Sequence, residues 1–151
     1  MFDKYVDLIK NSECIDNTII NFICSPHNKY IWGNGLQVAV CLGIFRDMNV
    51  PINGILLDDG MVVQKCKGYW EQQLRKVTSV WLSDFIDDKT NSDILIAVPS
   101  EMQLSAINRL KQHGFLYIYT CCWKHNSDFR EICYSVYESE FLNNYGNLKN
   151  V

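Results

Sequence analysis

YIWGNGLQVAVCLGIFRDMNVPINGILLDDG, residues 30–60, is the stretch on which the fold turns. "YIW" is a short apolar strand candidate that runs into Gly33-Asn34-Gly35. The residues after it, "LQVAVCLGIFRDMN", put Val38, Cys41, Leu42, Phe45 and Met48 on one side of a helix and Gln37, Arg46 and Asp47 elsewhere. "INGILLDDG" then reads as a second strand, closed by two carboxylates and a glycine. Strand, glycine turn, helix and strand within about 30 residues make a βαβ unit, whose strands must be parallel.

The segments that follow extend the alternation. "YWEQQLRK" is a candidate short helix, "SVWL" a third strand and "SDFIDD" a helical turn with Ser83 or Asp84 as its cap. "DILIAVP" is a near-continuous apolar run, the mark of a strand covered on both faces, and Pro99 ends it. In "SEMQLSAINRLKQHG", Ser100 and Gln103 stand at capping-box spacing, Leu104, Ile107 and Leu110 supply an apolar stripe, and Gly114 is placed to stop the helix. "FLYIYTCC" reads as another buried strand. The expected fold class is therefore α/β: a three-layer Rossmann-like parallel sheet with helices on both faces and right-handed crossovers.

At 151 residues the chain has the size of one domain, enough to bury roughly two thirds of its unfolded surface. A helical amino-terminal segment (1–28) precedes the core (29–121), and a terminal amphipathic helix is expected from Ser127 to Asn144, within 122–151. That helix folds back on the sheet or pairs with a second copy, so a homo-oligomer or a partner protein is one of the expectations. No repeat and no low-complexity tract interrupts this plan.

Composition narrows the ligand. A formal charge of −3 with dispersed basic residues argues against nucleic acid as a partner. The most apolar run, "VAVCLGIF", is far shorter than the roughly 20 residues of a membrane span, and "MFDKYVDLIKNSE" lacks the pattern of a signal peptide. Seven cysteines, an odd number without regular spacing, suit a reducing compartment, so the expected location is the cytoplasm. Neither "CSPH" (Cys24, His27) nor "CCWKH" (Cys121, Cys122, His125) has the paired spacing of a zinc site, and no metal is expected. His27, His113 and His125 fall in loops or at a helix end and read as solvated polar residues rather than general bases.

Two readings of the glycine turn stand side by side. In one, Gly33, Asn34 and Gly35 let a phosphate approach the backbone at the start of a helix, while Asp58, roughly 20 residues further on, bonds ribose hydroxyls with Asp59 beside it. In the other, the glycines serve strand-to-helix geometry alone and Asp58-Asp59-Gly60 is a solvated turn. The third position of a G-x-G-x-x-G pattern is Val38, which departs from the dinucleotide motif. Paired acids at Asp58-Asp59 and Asp87-Asp88 are candidates for a divalent ion but read rather as solvent-facing turns, Tyr69 and Trp70 are candidates for a ligand wall or a protein contact, and Trp81 reads as a core residue.

Residues 30–60 followed by "SDILIAVPSEMQLSAINRLKQHGF" resemble the Rossmann-like amino-terminal domain of bacterial sugar O- and N-acyltransferases and related capsule and lipopolysaccharide biosynthesis proteins. The resemblance spans roughly Lys29 to Cys121. It implies a nucleotide-sugar ligand, with Gly33, Asn34 and Gly35 on its diphosphate, Asp58 near its ribose or base, and Pro99 and Ser100 on the same edge. The β-helix that carries acyltransferase chemistry has no counterpart here, so the implied role is accessory. An NAD-dependent oxidoreductase and a non-catalytic interaction module are the alternatives.

Overall fold

A computed structural model describes residues 18–47, 49–65 and 68–120. Five strands form one all-parallel sheet: β1 (Asn28–Trp32), β2 (Gly54–Leu57), β3 (Ser79–Trp81), β4 (Ser92–Ile96) and β5 (Tyr117–Thr120), in the spatial order β3-β2-β1-β4-β5. Helices α1 (Thr18–Cys24), α2 (Leu36–Asp47), α3 (Gly68–Arg75) and α4 (Ser100–Gln112) lie between or before them. The α/β class and the opening βαβ unit are as expected, with Tyr30 opposite Gly54 and Trp32 opposite Leu56. None of the described helices is long and apolar enough to cross a membrane.

Alternation along the strands sorts the core. Trp32, Leu56 and Ile96 form one lateral row, and Tyr30 and Ile94 lie in the next on the same face. Ala106 and Leu110 of α4, with Leu82 and Phe115, pack on them. Ile31, Ile55, Leu95 and Tyr119 form a row of the opposite parity. There Phe22 of α1 meets Phe45 of α2 and Tyr119, each at 5.6 Å between ring centroids. Val38, Cys41, Leu42 and Phe45 are buried, as the helical face read for α2 requires, and Met48, the fifth residue of that face, lies outside the described residues. Each fully buried side chain of this size contributes roughly 1.5–3 kcal/mol.

Several details depart from expectation. Strand β5 is partly exposed rather than buried, because among the described strands it pairs only with β4 at the sheet's edge. Helix α4 starts one residue early for a capping box. Pro99 takes the cap position, and the Gln103 side chain donates to the Val98 carbonyl at 3.4 Å. Its core stripe is Ala106 and Leu110 with Ile107 partly buried, whereas Leu104 is 69% exposed. Ser83 and Asp84 lie inside a 3₁₀ turn, Leu82–Asp84, preceded by Trp81. Trp81 is 44% exposed and donates to the Met61 carbonyl, since among the described strands β3 lies at the sheet's edge. The terminal helix, its possible self-pairing, and His125, Cys121 and Cys122 lie outside the described residues.

At the amino-terminal end of the strands a polar cluster joins β1 to β4. His27 Nδ1 donates to Asp93 Oδ1 at 2.9 Å, and the Asp93 side chain is wholly buried. The His27 ring stacks near Tyr117 at 4.5 Å, so it is not the solvated residue expected. Lys29 Nζ donates to the carbonyls of Ser25 (2.5 Å) and His27 (3.1 Å). On the other face Tyr30 donates from its hydroxyl to exposed Asp87, and burial together with that carboxylate pushes the Tyr30 hydroxyl's pKa up. His27→Ala, which strips a buried carboxylate of its partner, should cost about 2–4 kcal/mol. Tyr30→Phe, whose partner can turn to water, should cost about 1 kcal/mol. Urea unfolding of the two variants checks this order.

Candidate functional site

The strand order reverses between β1 and β4, and there the carboxyl ends of neighbouring parallel strands diverge and leave a crevice. A cleft of about 370 Å³ occupies this place. Its floor comes from Trp32, Leu57 and Val98. One wall is the turn after β1, through Gly33 and Asn34, with Asp58 at the end of β2. The facing wall is α4, which turns Glu101, Ser105 and Arg109 toward it at four-residue spacing. A larger groove of about 590 Å³ runs along the edge strand, with Val80 and Trp81 of β3 on its wall. No residue of β1 or β4 lines that groove, so it lies away from the point of reversal.

Arg109 crosses the mouth of the cleft. Its Nε lies 3.1 Å from Asp58 Oδ1 and its Nη2 3.7 Å from Asp59 Oδ2. The three side chains are each about two-fifths exposed (39%, 42% and 39%), so the pairing is wet and worth at most about 1 kcal/mol. Asp59 also accepts from the Ser83 backbone N–H at 2.9 Å, and that hydrogen bond, more than Arg109, holds its carboxyl below the usual aspartate range. Asp58 and Asp59 are thus built into the loop without being buried by it.

The two glycines of the turn differ in what surrounds them. Gly33 has φ +143°, and a Cβ there would lie 2.6 Å from the Ala97 carbonyl oxygen and 2.7 Å from Val38 Cγ2. Both contacts are too close, and the backbone oxygen cannot retreat. At Gly35 the nearest atom to an added Cβ is Gln64 Oε1, at 3.0 Å, the far end of an exposed side chain. The segment carrying Gln64 lies over the turn: Gln64 N donates to the Asn34 carbonyl (2.6 Å), and Asn34 Nδ2 to the Val62 carbonyl (3.2 Å).

Of the residues singled out in the sequence, Gly33, Asn34 and Asp58 line the cleft, while Asp59 meets it through Arg109. Gly35 stands beside it under Gln64. Val98 and Glu101, on either side of Pro99 and Ser100, reach the wall, and the Ser100 side chain lies outside what is described. The side chains of Tyr69 and Trp70 do so too. Asp88 is spent on Thr90, whose N–H and hydroxyl both donate to it, and Asp87 on Tyr30. Among the described residues no three His, Cys, Asp or Glu side chains gather as metal ligands would. Arg109, Glu101, Ser105 and Gln64 were not foreseen, although the four-residue spacing of the first three is visible in "EMQLSAINR".

No known family model, curated protein or solved structure matches this chain.

The unequal surroundings of the glycines predict unequal variants. Gly33→Ala should destabilise the fold by about 2–4 kcal/mol, combining a strained backbone with overpacking. Gly35→Ala should cost under about 1 kcal/mol, because only a flexible side chain has to move. Thermal and urea denaturation of the two proteins distinguishes them.

Proposed function

We propose that this domain binds a nucleoside-containing small molecule, of the nucleotide or nucleotide-sugar class, in the cleft at the carboxyl ends of β1, β2 and β4. The observation that carries this is the coincidence of the cleft with the reversal of strand order, where open parallel sheets present their ligands. Its volume of about 370 Å³ lies within the usual range of small-molecule sites. Half-exposed Asp58 supplies acceptors for a ribose, and exchanging an exposed ion pair for hydroxyl hydrogen bonds costs little. A diphosphate approaching the turn would displace the Gln64 carboxamide from Gly35.

The resemblance to sugar acyltransferase amino-terminal domains favours a nucleotide-sugar over NAD, and with it a role in bacterial surface-polysaccharide metabolism. Binding, rather than a reaction, is what these residues support, so the role is accessory to another catalyst.

Thermal-shift and calorimetric titration with UDP, UDP- and CDP-sugars, ADP and NAD test this. At least one should raise the melting temperature in a concentration-dependent way, since a ligand of the folded state stabilises it by mass action. Asp58→Ala should then weaken that ligand by about 1–3 kcal/mol, the range for a charge-assisted hydrogen bond. Gly35→Val should fold and lose the ligand. An unchanged affinity in both variants would remove this cleft from the site.

A further inference from the structure

The charges around the cleft say which sugar would suit it, if the nucleotide-sugar reading on which this rests is right. Two carboxylates line the cavity, Asp58 and Glu101, against one guanidinium, Arg109. That guanidinium is not a spare cation: its Nε is 3.1 Å from Asp58 and its Nη2 3.7 Å from Asp59, a third carboxylate just outside the lining. The part of the cleft lined by α4, away from the turn at Gly35 where the diphosphate would lie, therefore presents more carboxylates than cations over a floor of Trp32, Leu57 and Val98. Carboxylates accept hydrogen bonds and donate none, so they pair well with hydroxyls and repel a second anion. Ser105, one helical turn from both Glu101 and Arg109, adds a hydroxyl that both donates and accepts.

We infer that the α4 stripe of Glu101, Ser105 and Arg109, facing Asp58, selects a neutral, hydroxyl-rich sugar and discriminates against one bearing a carboxylate. Glu101 is the residue that sets this preference. It stands at the cleft wall, is exposed, and, among the described residues, does not share the Arg109 pairing that occupies Asp58 and Asp59.

The test is calorimetric titration of the full chain with UDP-glucose and UDP-glucuronate, which differ by a carboxylate in place of a hydroxymethyl group, with UDP and NAD as references. UDP-glucose should bind more tightly than UDP, and UDP-glucuronate roughly five- to tenfold more weakly than UDP-glucose, as one added like charge in a wet cleft predicts. Raising the salt should narrow that gap. In Glu101→Gln, which keeps an acceptor and removes the charge, the two sugars should come within about twofold of each other, and any gain seen for UDP itself should be shared by both sugars, so the ratio between the two sugars is the readout. Equal or tighter binding of UDP-glucuronate would overturn the inference, since Arg109 would then be free to receive it. So would a gap that persists in Glu101→Gln. Binding of UDP or NAD with no gain from the sugar would overturn this inference and leave the nucleotide reading standing. A chain that binds none of the four, and none of the wider nucleotide panel, would overturn both.

Discussion

Three parts of the chain converge on the α-carbon of Gly33. Its N–H donates to the Leu56 carbonyl of β2 at 3.3 Å, the Ala97 carbonyl after β4 closes on it from the other side, and Val38 of α2 covers it from above. A side chain at this point would push apart two neighbours of β1 and the helix that follows it. The sheet order β3-β2-β1-β4-β5 places this crowded residue where the chain changes direction across the sheet. The position of the cleft follows from it. The strands can stay paired through Trp32 and Ile96, and the crevice begins only one residue later.

The two ends of the sheet have opposite chemistry. At the amino-terminal end Asp93 is wholly buried on His27, and Lys29, almost as deeply buried, bonds two carbonyls. Groups so desolvated are costly to disturb: the His27–Asp93 bond ties the residue before β1 to β4, and Lys29 braces the segment that leads into β1. At the carboxyl end the polar groups are wet. Arg109, Asp58 and Asp59 are paired at distances that water or a ligand can replace, and the Gln64 side chain is exposed. One end is fixed and the other exchangeable, an arrangement suited to holding a ligand on a rigid frame.

The fold was legible because its signals are local. The apolar face of α2 and the run "ILIAV" report burial directly, and parallel pairing follows from the spacing between strands. What sequence could not supply was the neighbour of each element. Trp81 reads as a core residue by composition, but β3 lies at an edge and leaves it exposed. Leu104 completes an apolar stripe in "MQLSAINRL", yet the helix presents Ala106, Ile107 and Leu110 to the sheet. The same uncertainty about rotation hid Glu101, Ser105 and Arg109, because which face of α4 meets the cleft is decided by packing. The partner of Asp58 is 51 residues away in sequence, and no periodicity reveals it.

Val38 raised the sharpest question in the sequence, since it stands where the dinucleotide pattern has its third glycine. In that pattern the third glycine lets helix and strand approach closely. Here Val38 Cγ2 lies 2.7 Å from the point where a Gly33 Cβ would be, so the valine side chain fills the space left by the first glycine. The helix thus keeps its close approach with a side chain at the third position, at the expense of committing Gly33 wholly to packing. Gly33 and Gly35 therefore cannot share one role. The side-chain direction of Gly33 is filled by the Ala97 carbonyl and Val38, so Gly33 meets the cleft only through its backbone, whereas the space in front of Gly35 holds nothing closer than a movable carboxamide.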